Sequence, residues 1–350
     1  MSAKRGALLA SLALAAAATP VVGGAADLPR TAAGRPDLSG TFDTSTVTPL
    51  QREEKFGDRL VYTPEEAAEV RERIAKFDRE ANAPSDPDRE APAVGGNVGG
   101  YNWFYLDRGT APVLVNGEYR TSILVDPPNG RLPELTERGK ARRESLHNFW
   151  GRNSGEAWWL DLEHEVLPYD DPEALSITDR CIILPESTIP VLPTGYNNVR
   201  TIVQTESHLM ILVEWMHYAR VIRIGTEDEP ARHLPSTVLS RAGDSIGWWE
   251  GDTLVVETTN FLEEDWVTGT FNGNPSPAAD RRVLERFSLD EEGNVLYRFT
   301  VESGDFVAPY SGELTWPRTD QRLWEYACHE GNYAMGNILR GSRLLESETP

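Results

Sequence analysis

The sequence predicts a mainly β protein, and three observations lead there. From Arg200 onward, short apolar segments recur with brief connections between them. Two of those connections, Glu250-Gly-Asp252 and Asp290-Glu-Glu-Gly-Asn294, have the composition of hairpin turns. The flanking runs alternate in the period of a strand, so that Val283, Glu285, Phe287 and Leu289 share one face. Consecutive strands at this spacing imply an antiparallel meander over residues 200–350, closed as a barrel or folded as a sandwich. Residues 27–199 then form an N-terminal extension of short helices and strands, packed on that core as one unit.

The chain begins with Lys4 and Arg5, an apolar run from Ala7 to Ala18, and a small-residue stretch ending Gly24-Ala25-Ala26. That order is the pattern of a secretory leader over residues 1–26. The apolar run is shorter than the roughly 20 residues that cross a bilayer, so no membrane span is expected after cleavage. The mature chain is therefore expected in the periplasm or outside the cell. A formal net charge of −21 repels phosphate backbones, which argues against a nucleic-acid partner. In an oxidising compartment the two cysteines, Cys181 and Cys328, read as one long-loop disulfide; the alternative is a reactive thiol at Cys328 beside His329.

The elements follow in order. A first strand is expected at Gly40–Thr46. Thr63-Pro64-Glu65-Glu66 starts a helix, with Thr63 as N-cap, Pro64 at the first helical position and Glu66 completing a capping box. Ala67, Val70, Ile74 and Phe77 then line one face through about Arg79. Gly- and Pro-rich residues follow, then the aromatic run Tyr101–Leu106, a strand at Arg120–Asp126, and a second helix from Thr136 to about Phe149. Strands are expected at Arg200–Thr205, at Leu209–Arg220 and on toward Ile224, at Ile246–Trp249, Thr253–Thr258, Val283–Leu289, Val295–Val301, Gly312–Trp316 and Trp324–Cys328. A short helix at Ala334–Leu339 closes the chain.

The segment Met210–Arg220 concentrates the chemistry. It has the apolar density of a buried strand yet carries Glu214, His217 and Arg220, whose burial without partners costs several kcal/mol. Strict alternation separates Glu214 from His217. A bend at Trp215-Met216 would bring them onto one face as a carboxylate–imidazole pair for acid–base work, with Arg220 for an oxyanion. Against this stands a satisfied core histidine beside a structural ion pair. Glu285 points the same way as its apolar neighbours, so it is paired with an arginine, Arg220 being the mate proposed, or it faces a pocket. His329, Glu330 and Asn332 follow Cys328 in a turn that a disulfide would hold. Trp215, Tyr218, Trp248, Trp249 and Tyr326 would line an aromatic pocket.

No sequential ligand pair such as His-x-His occurs; His217, His233, His329 and Glu214 are the only metal-ligand candidates, and no metal is expected. There is no Walker or dinucleotide glycine pattern, and no cofactor is expected.

Several motifs together resemble a large group of secreted bacterial proteins of unknown function. They are Arg120-Thr-Ser-Ile-Leu-Val-Asp-Pro-Pro-Asn-Gly130, Arg180-Cys181, Tyr196-Asn-Asn198, Glu214…His217…Arg220, the run from Gly243-Asp-Ser through Trp249-Glu-Gly-Asp-Thr-Leu-Val-Val-Glu-Thr-Thr-Asn-Phe261, and Tyr326-Ala-Cys-His-Glu-Gly-Asn-Tyr333. The resemblance spans nearly all of the mature chain and implies that it is a single unit. It brings no activity with it. Members often carry a Ser-Glu and a His before the Val-Glu-Arg-Phe strand, where this chain has Ala279-Asp-Arg-Arg-Val-Leu-Glu-Arg-Phe287.

These features lead to a calycin- or lipocalin-like barrel or sandwich enclosing one small molecule. The expected function is an acid–base enzyme (lyase, hydratase, isomerase or hydrolase) on a small hydrophobic or aromatic compound. His217, Glu214 and His329 would move protons while Arg220 stabilises developing charge. A non-catalytic binding protein with the same pocket is the alternative. A carbohydrate-active enzyme using Glu214 and Glu285 as its carboxylate pair is another.

Overall fold

A computed structural model describes residues 28–84, 86–90, 106–145, 156–163, 167–183, 189–263 and 278–349. The expected leader, the aromatic run at 101–105 and the far end of the second helix lie outside the described residues.

The chain is built on one ten-stranded, curled sheet that forms a half-barrel. Its strands are β1 (Gly40–Asp43), β4 (Leu124–Asp126), β5 (Val199–Gln204), β6 (His208–Val213), β7 (Ala219–Ile224), β8 (Asp244–Glu250), β9 (Thr253–Thr259), β10 (Arg282–Leu289), β11 (Val295–Glu302) and β12 (Tyr310–Trp316). A separate small hairpin is made by β2 (Leu114–Val115) and β3 (Glu118–Tyr119). In space the order of the large sheet is β1-β5-β6-β7-β8-β9-β10-β11-β12-β4. Beyond β12 the chain returns to β1: the Asp43 N–H donates to the Pro317 carbonyl (2.9 Å) and the Thr319 N–H to the Thr41 carbonyl (3.0 Å). These bonds tie the first strand to the end of the last long one and deepen the curl.

One pairing differs from a simple antiparallel meander, and one expected strand is absent. The stretch expected as one strand, Leu209–Arg220, is a hairpin: β6 and β7 pair antiparallel, with Leu212 opposite Ala219. This extra reversal leaves β7 parallel to β8. Parallel neighbours need a long crossover, and residues 225–243 supply it. The expected strand Trp324–Cys328 is absent too; that segment is irregular up to α3 (Cys328–Gly331), which is followed by α4 (Tyr333–Glu348).

The remaining elements follow their local chemistry. Helix α1 (Pro64–Ala81) carries the full capping box, with the Thr63 hydroxyl accepting from the Glu66 N–H and the Glu66 carboxylate accepting from the Thr63 N–H. Ala67 and Val70 bury against Tyr62 and Phe56. Helix α2 (Glu137–Ser145) begins one residue after Thr136, as expected. Cys181 and Cys328 are bonded, Cα to Cα 5.7 Å, and anchor the C-terminal helices to the middle of the chain.

Strand alternation fills the interior. Val283, Glu285 and Phe287 on β10, and Val295, Tyr297, Phe299 and Val301 on β11, all point inward and are almost wholly buried. The rings of Phe287, Tyr297, Phe299 and Trp316 pack together, with Tyr297 and Trp316 centroids 4.7 Å apart. Each such side chain contributes about 1.5–3 kcal/mol by leaving water. A Cβ at position 312 would collide with the Phe299 ring, so Gly312 on β12 is what lets that ring lie flat across the strand. The segment Ile189–Leu192 enters the same space, and the Val191 N–H donates to the Tyr297 hydroxyl (2.9 Å). The described part of the interior is thus occupied by protein.

The polar mouth of the half-barrel

The β6–β7 connection sits at one end of the sheet. Trp215–His217 forms a single turn of 3-10 helix, and Met216 and His217 both take positive φ, 52° and 40°. Each costs roughly 1–2 kcal/mol for a residue with a Cβ. The bend falls where the sequence suggested it, and it reverses the chain.

The candidate residues of this segment separate. The Glu214 carboxylate is buried and accepts from the Trp324 N–H (3.0 Å). His217 is exposed and meets Glu214 only through its backbone N–H, 3.1 Å from the Glu214 carbonyl. Arg220 turns into the sheet, where Nη1 reaches Glu285 Oε1 at 3.0 Å, Nε reaches Ser245 Oγ at 3.1 Å and Nη2 reaches Thr258 Oγ1 at 2.9 Å. Among the described residues, no hydrogen bond or ion pair joins the side chains of Glu214, His217 and Arg220. Glu285, fully buried, also accepts from the Tyr297 hydroxyl (2.8 Å), which completes a closed network.

The aromatic candidates divide as well. Trp215 lies between Tyr196 and Tyr326, with ring centroids 4.7 and 4.8 Å away, and its indole N–H reaches the Tyr196 carbonyl (2.8 Å). Tyr218 is partly buried, and burial raises its phenol above the ordinary value. Trp248 bonds Glu250 (3.1 Å), and Trp249 lies under the Arg35 guanidinium; both are on β8. His329 and Glu330 are exposed on α3. Asn332 caps α4 and donates to the Asp179 carbonyl (2.7 Å).

Beside this turn lies a polar mouth that sequence reading missed. Arg200 on β5 faces inward, directly between Phe42 of β1 and Val213 of β6. It is fully buried; Nη1 donates to the carbonyls of Asn197 (2.7 Å) and Val199 (3.0 Å), while Nε and Nη2 have no hydrogen-bond partner among the described residues. Burial lowers the guanidinium to about 10, and the charges of Glu214 and Asp43 act against that fall.

Asp107 completes the group. Its carbonyl accepts from the Asn198 side chain and its N–H donates to the Gly195 carbonyl (2.9 Å), so the Thr194–Asn198 turn fixes its position. Burial pushes the Asp107 carboxyl up to about 6, helped by the negative charges of Asp43 and Glu214 and opposed by the Gly109 N–H. Asp43 and Asp107 open onto a groove of about 1080 Å³, whose far wall includes Leu114, Asp290, Glu292 and Arg318. Arg318 donates to the Gly293 and Ser39 carbonyls and packs over Phe42, and its single charge faces the acidic side chains of Asp43, Asp107, Asp290, Glu291 and Glu292, which dominate the lining.

Chemically, a carboxyl that titrates near neutrality holds or releases a proton at working pH, whereas an ordinary aspartate only accepts. Among the described residues, no group of three or more His, Cys, Asp or Glu is arranged to hold a metal ion. The structure thus defines a class: a mainly β half-barrel with a filled interior and an acidic mouth. Compared with known proteins, the chain matches no family model, no curated protein and no solved structure.

Two of the missed residues left a trace in the sequence. Arg200 shares strand parity with Ile202, the same signal that marked Glu285. Asp43 lies in the expected first strand. Asp107 left none, because its environment is made by the distant turn at Thr194–Asn198.

Proposed function

We propose that the protein is a periplasmic or secreted acid–base enzyme acting on a small organic molecule held in the groove, with Asp107 as the proton-transfer group. One observation carries this reading: a half-buried carboxyl, held near neutrality by burial and two neighbouring carboxylates, opens on a groove of about 1080 Å³. Burial, with the charges of Asp43 and Glu214, sets the Asp107 carboxyl near 6. At neutral pH it is therefore mainly an anion that can take a proton from a substrate and return it, and Arg200 limits the negative charge behind it. The apolar part of the wall, Val113, Leu114 and Leu296 among it, suits the hydrophobic portion of a small substrate.

The compartment belongs to the same proposal. A disulfide across 147 residues suits an oxidising environment, and no described helix is long and apolar enough to cross a membrane. The likeness to a group of secreted bacterial proteins and to the lipocalin architecture is part of this reading.

The test is a comparison of the full chain with Asp107→Asn on a panel of small esters, enols and unsaturated acids. Turnover of a panel member by the wild type, reduced at least a hundredfold in the variant with near-ultraviolet circular dichroism unchanged, supports the enzyme. Equal turnover in both removes Asp107 from the chemistry. Saturable binding without turnover in either leaves a carrier.

A further inference from the structure

On the outer face of the sheet, well away from the packed interior, two arginines stand directly opposite each other. Arg286 of β10 pairs in register with Arg298 of β11. Like charges in this position destabilise a sheet, because directly opposed Cβ atoms lie only about 4.5–5.5 Å apart. The chain has 55 acidic residues against 34 lysines and arginines, yet no ion pair or hydrogen bond of Arg298 exists among the described residues. Arg286 gives one N–H to Glu250 (2.8 Å). The nearest carboxylate in register with Arg298 is Glu313 of β12, and it is already held by Arg120 (2.7 Å), which also binds Glu118 (2.7 Å).

Both arginines line a pocket of about 220 Å³, together with Thr253, Ser288, Asn116 and Glu313. Asn116 stands at the tip of the β2–β3 hairpin, where Asn116 and Gly117 both take positive φ, the conformation an Asn-Gly hairpin turn favours. Thr253, Ser288 and Asn116 make no side-chain hydrogen bond to any described residue, so two hydroxyls and an amide have donors to spare beside the guanidinium pair. Guanidinium groups meet tetrahedral oxyanions through parallel N–H donors, and a hydroxyl pair fills the remaining acceptor positions.

We propose that the pocket between Arg286 and Arg298 is a phosphate-binding site. The bound anion removes the repulsion between the two arginines, and Arg298 is the residue on which its affinity depends most. The site adjoins the acidic groove, Asn116 and Leu296 lining both, but it does not rest on the activity proposed there.

The experiment is calorimetric titration of inorganic phosphate into the full chain, with chloride at matched ionic strength as the blank. The wild type is expected to bind one phosphate saturably, Arg298→Gln to weaken that binding at least tenfold, and Arg322→Gln, which alters an exposed arginine elsewhere, to leave it unchanged. Without phosphate, Arg298→Gln should keep or raise the melting temperature, since it removes a repulsion. No saturable heat in the wild type, or equal loss in Arg298→Gln and Arg322→Gln, overturns the proposal and leaves only diffuse attraction of anions.

Discussion

Arg220 and Glu285 meet as a two-pronged ion pair inside the sheet, linking β7 to β10 across two intervening strands, with both side chains shut away from water. Ser245, Thr258 and Tyr297 take up the remaining donors and acceptors. Removing one partner leaves a buried charge unmatched, a loss of about 3–5 kcal/mol. Arg220→Met is therefore expected to lower the unfolding free energy by that amount. The double variant Arg220→Met/Glu285→Gln should recover much of it, as urea titrations of the three proteins will report.

A second network predicts acid sensitivity. Burial alone would raise the Asp244 carboxyl, but bonds from Arg223, His233 and the Leu234 N–H outweigh it and hold the group down at about 2. The folded state therefore binds this proton less tightly than the unfolded chain, whose carboxyl sits near 3.8. The stability it contributes is full above pH 4 and is lost as pH falls toward 2. Asp244→Asn should flatten the acid limb of a melting-temperature profile between those values, with roughly 2 kcal/mol lost at pH 7.

Asp107 predicts the opposite slope. Its folded carboxyl lies near 6 against 3.8 for the free group, so the folded state holds the proton more tightly and stability falls as pH rises from 4 to 6. Asp107→Asn removes that loss. The variant should be more stable than wild type at pH 7, by about 1–2 kcal/mol after allowing for partial solvent screening, and no more stable at pH 4. A group that weakens the fold at working pH is the pattern of a functional site.

Reduction of the Cys181–Cys328 bond frees a loop of 147 residues. Chain entropy puts its contribution at about 4–5 kcal/mol, less any native-state strain. Cys181→Ser/Cys328→Ser should melt well below wild type, and reductant should shift only the wild-type protein.

Much of the fold was legible in the sequence because local rules governed it. The capping box at Thr63–Glu66, the hairpins at 250–253 and 289–295, and the inward face of Val283–Leu289 each depend on neighbours close in the chain or on strict alternation. The Arg220–Glu285 pair was legible for a related reason: a carboxylate on an apolar face needs a cation, and few were at hand. The hairpin within Met210–Arg220 was not, because its turn has no Gly, Pro, Asn or Asp and relies on positive φ at Met216 and His217. The mouth was hidden more completely. Asp43, Arg200 and Glu214 meet through the pairing of β1, β5 and β6, and Asp107 is held beside them by the Thr194–Asn198 turn, which no local pattern announces.

The most direct measurement is a carbon-13 NMR titration of the Asp107 carboxyl in the full chain, assigned by its absence in Asp107→Asn. The account predicts a midpoint near 6, falling when Glu214→Gln removes one of the neighbouring charges. A midpoint at the ordinary value near 3.8, unmoved by Glu214→Gln, would contradict it.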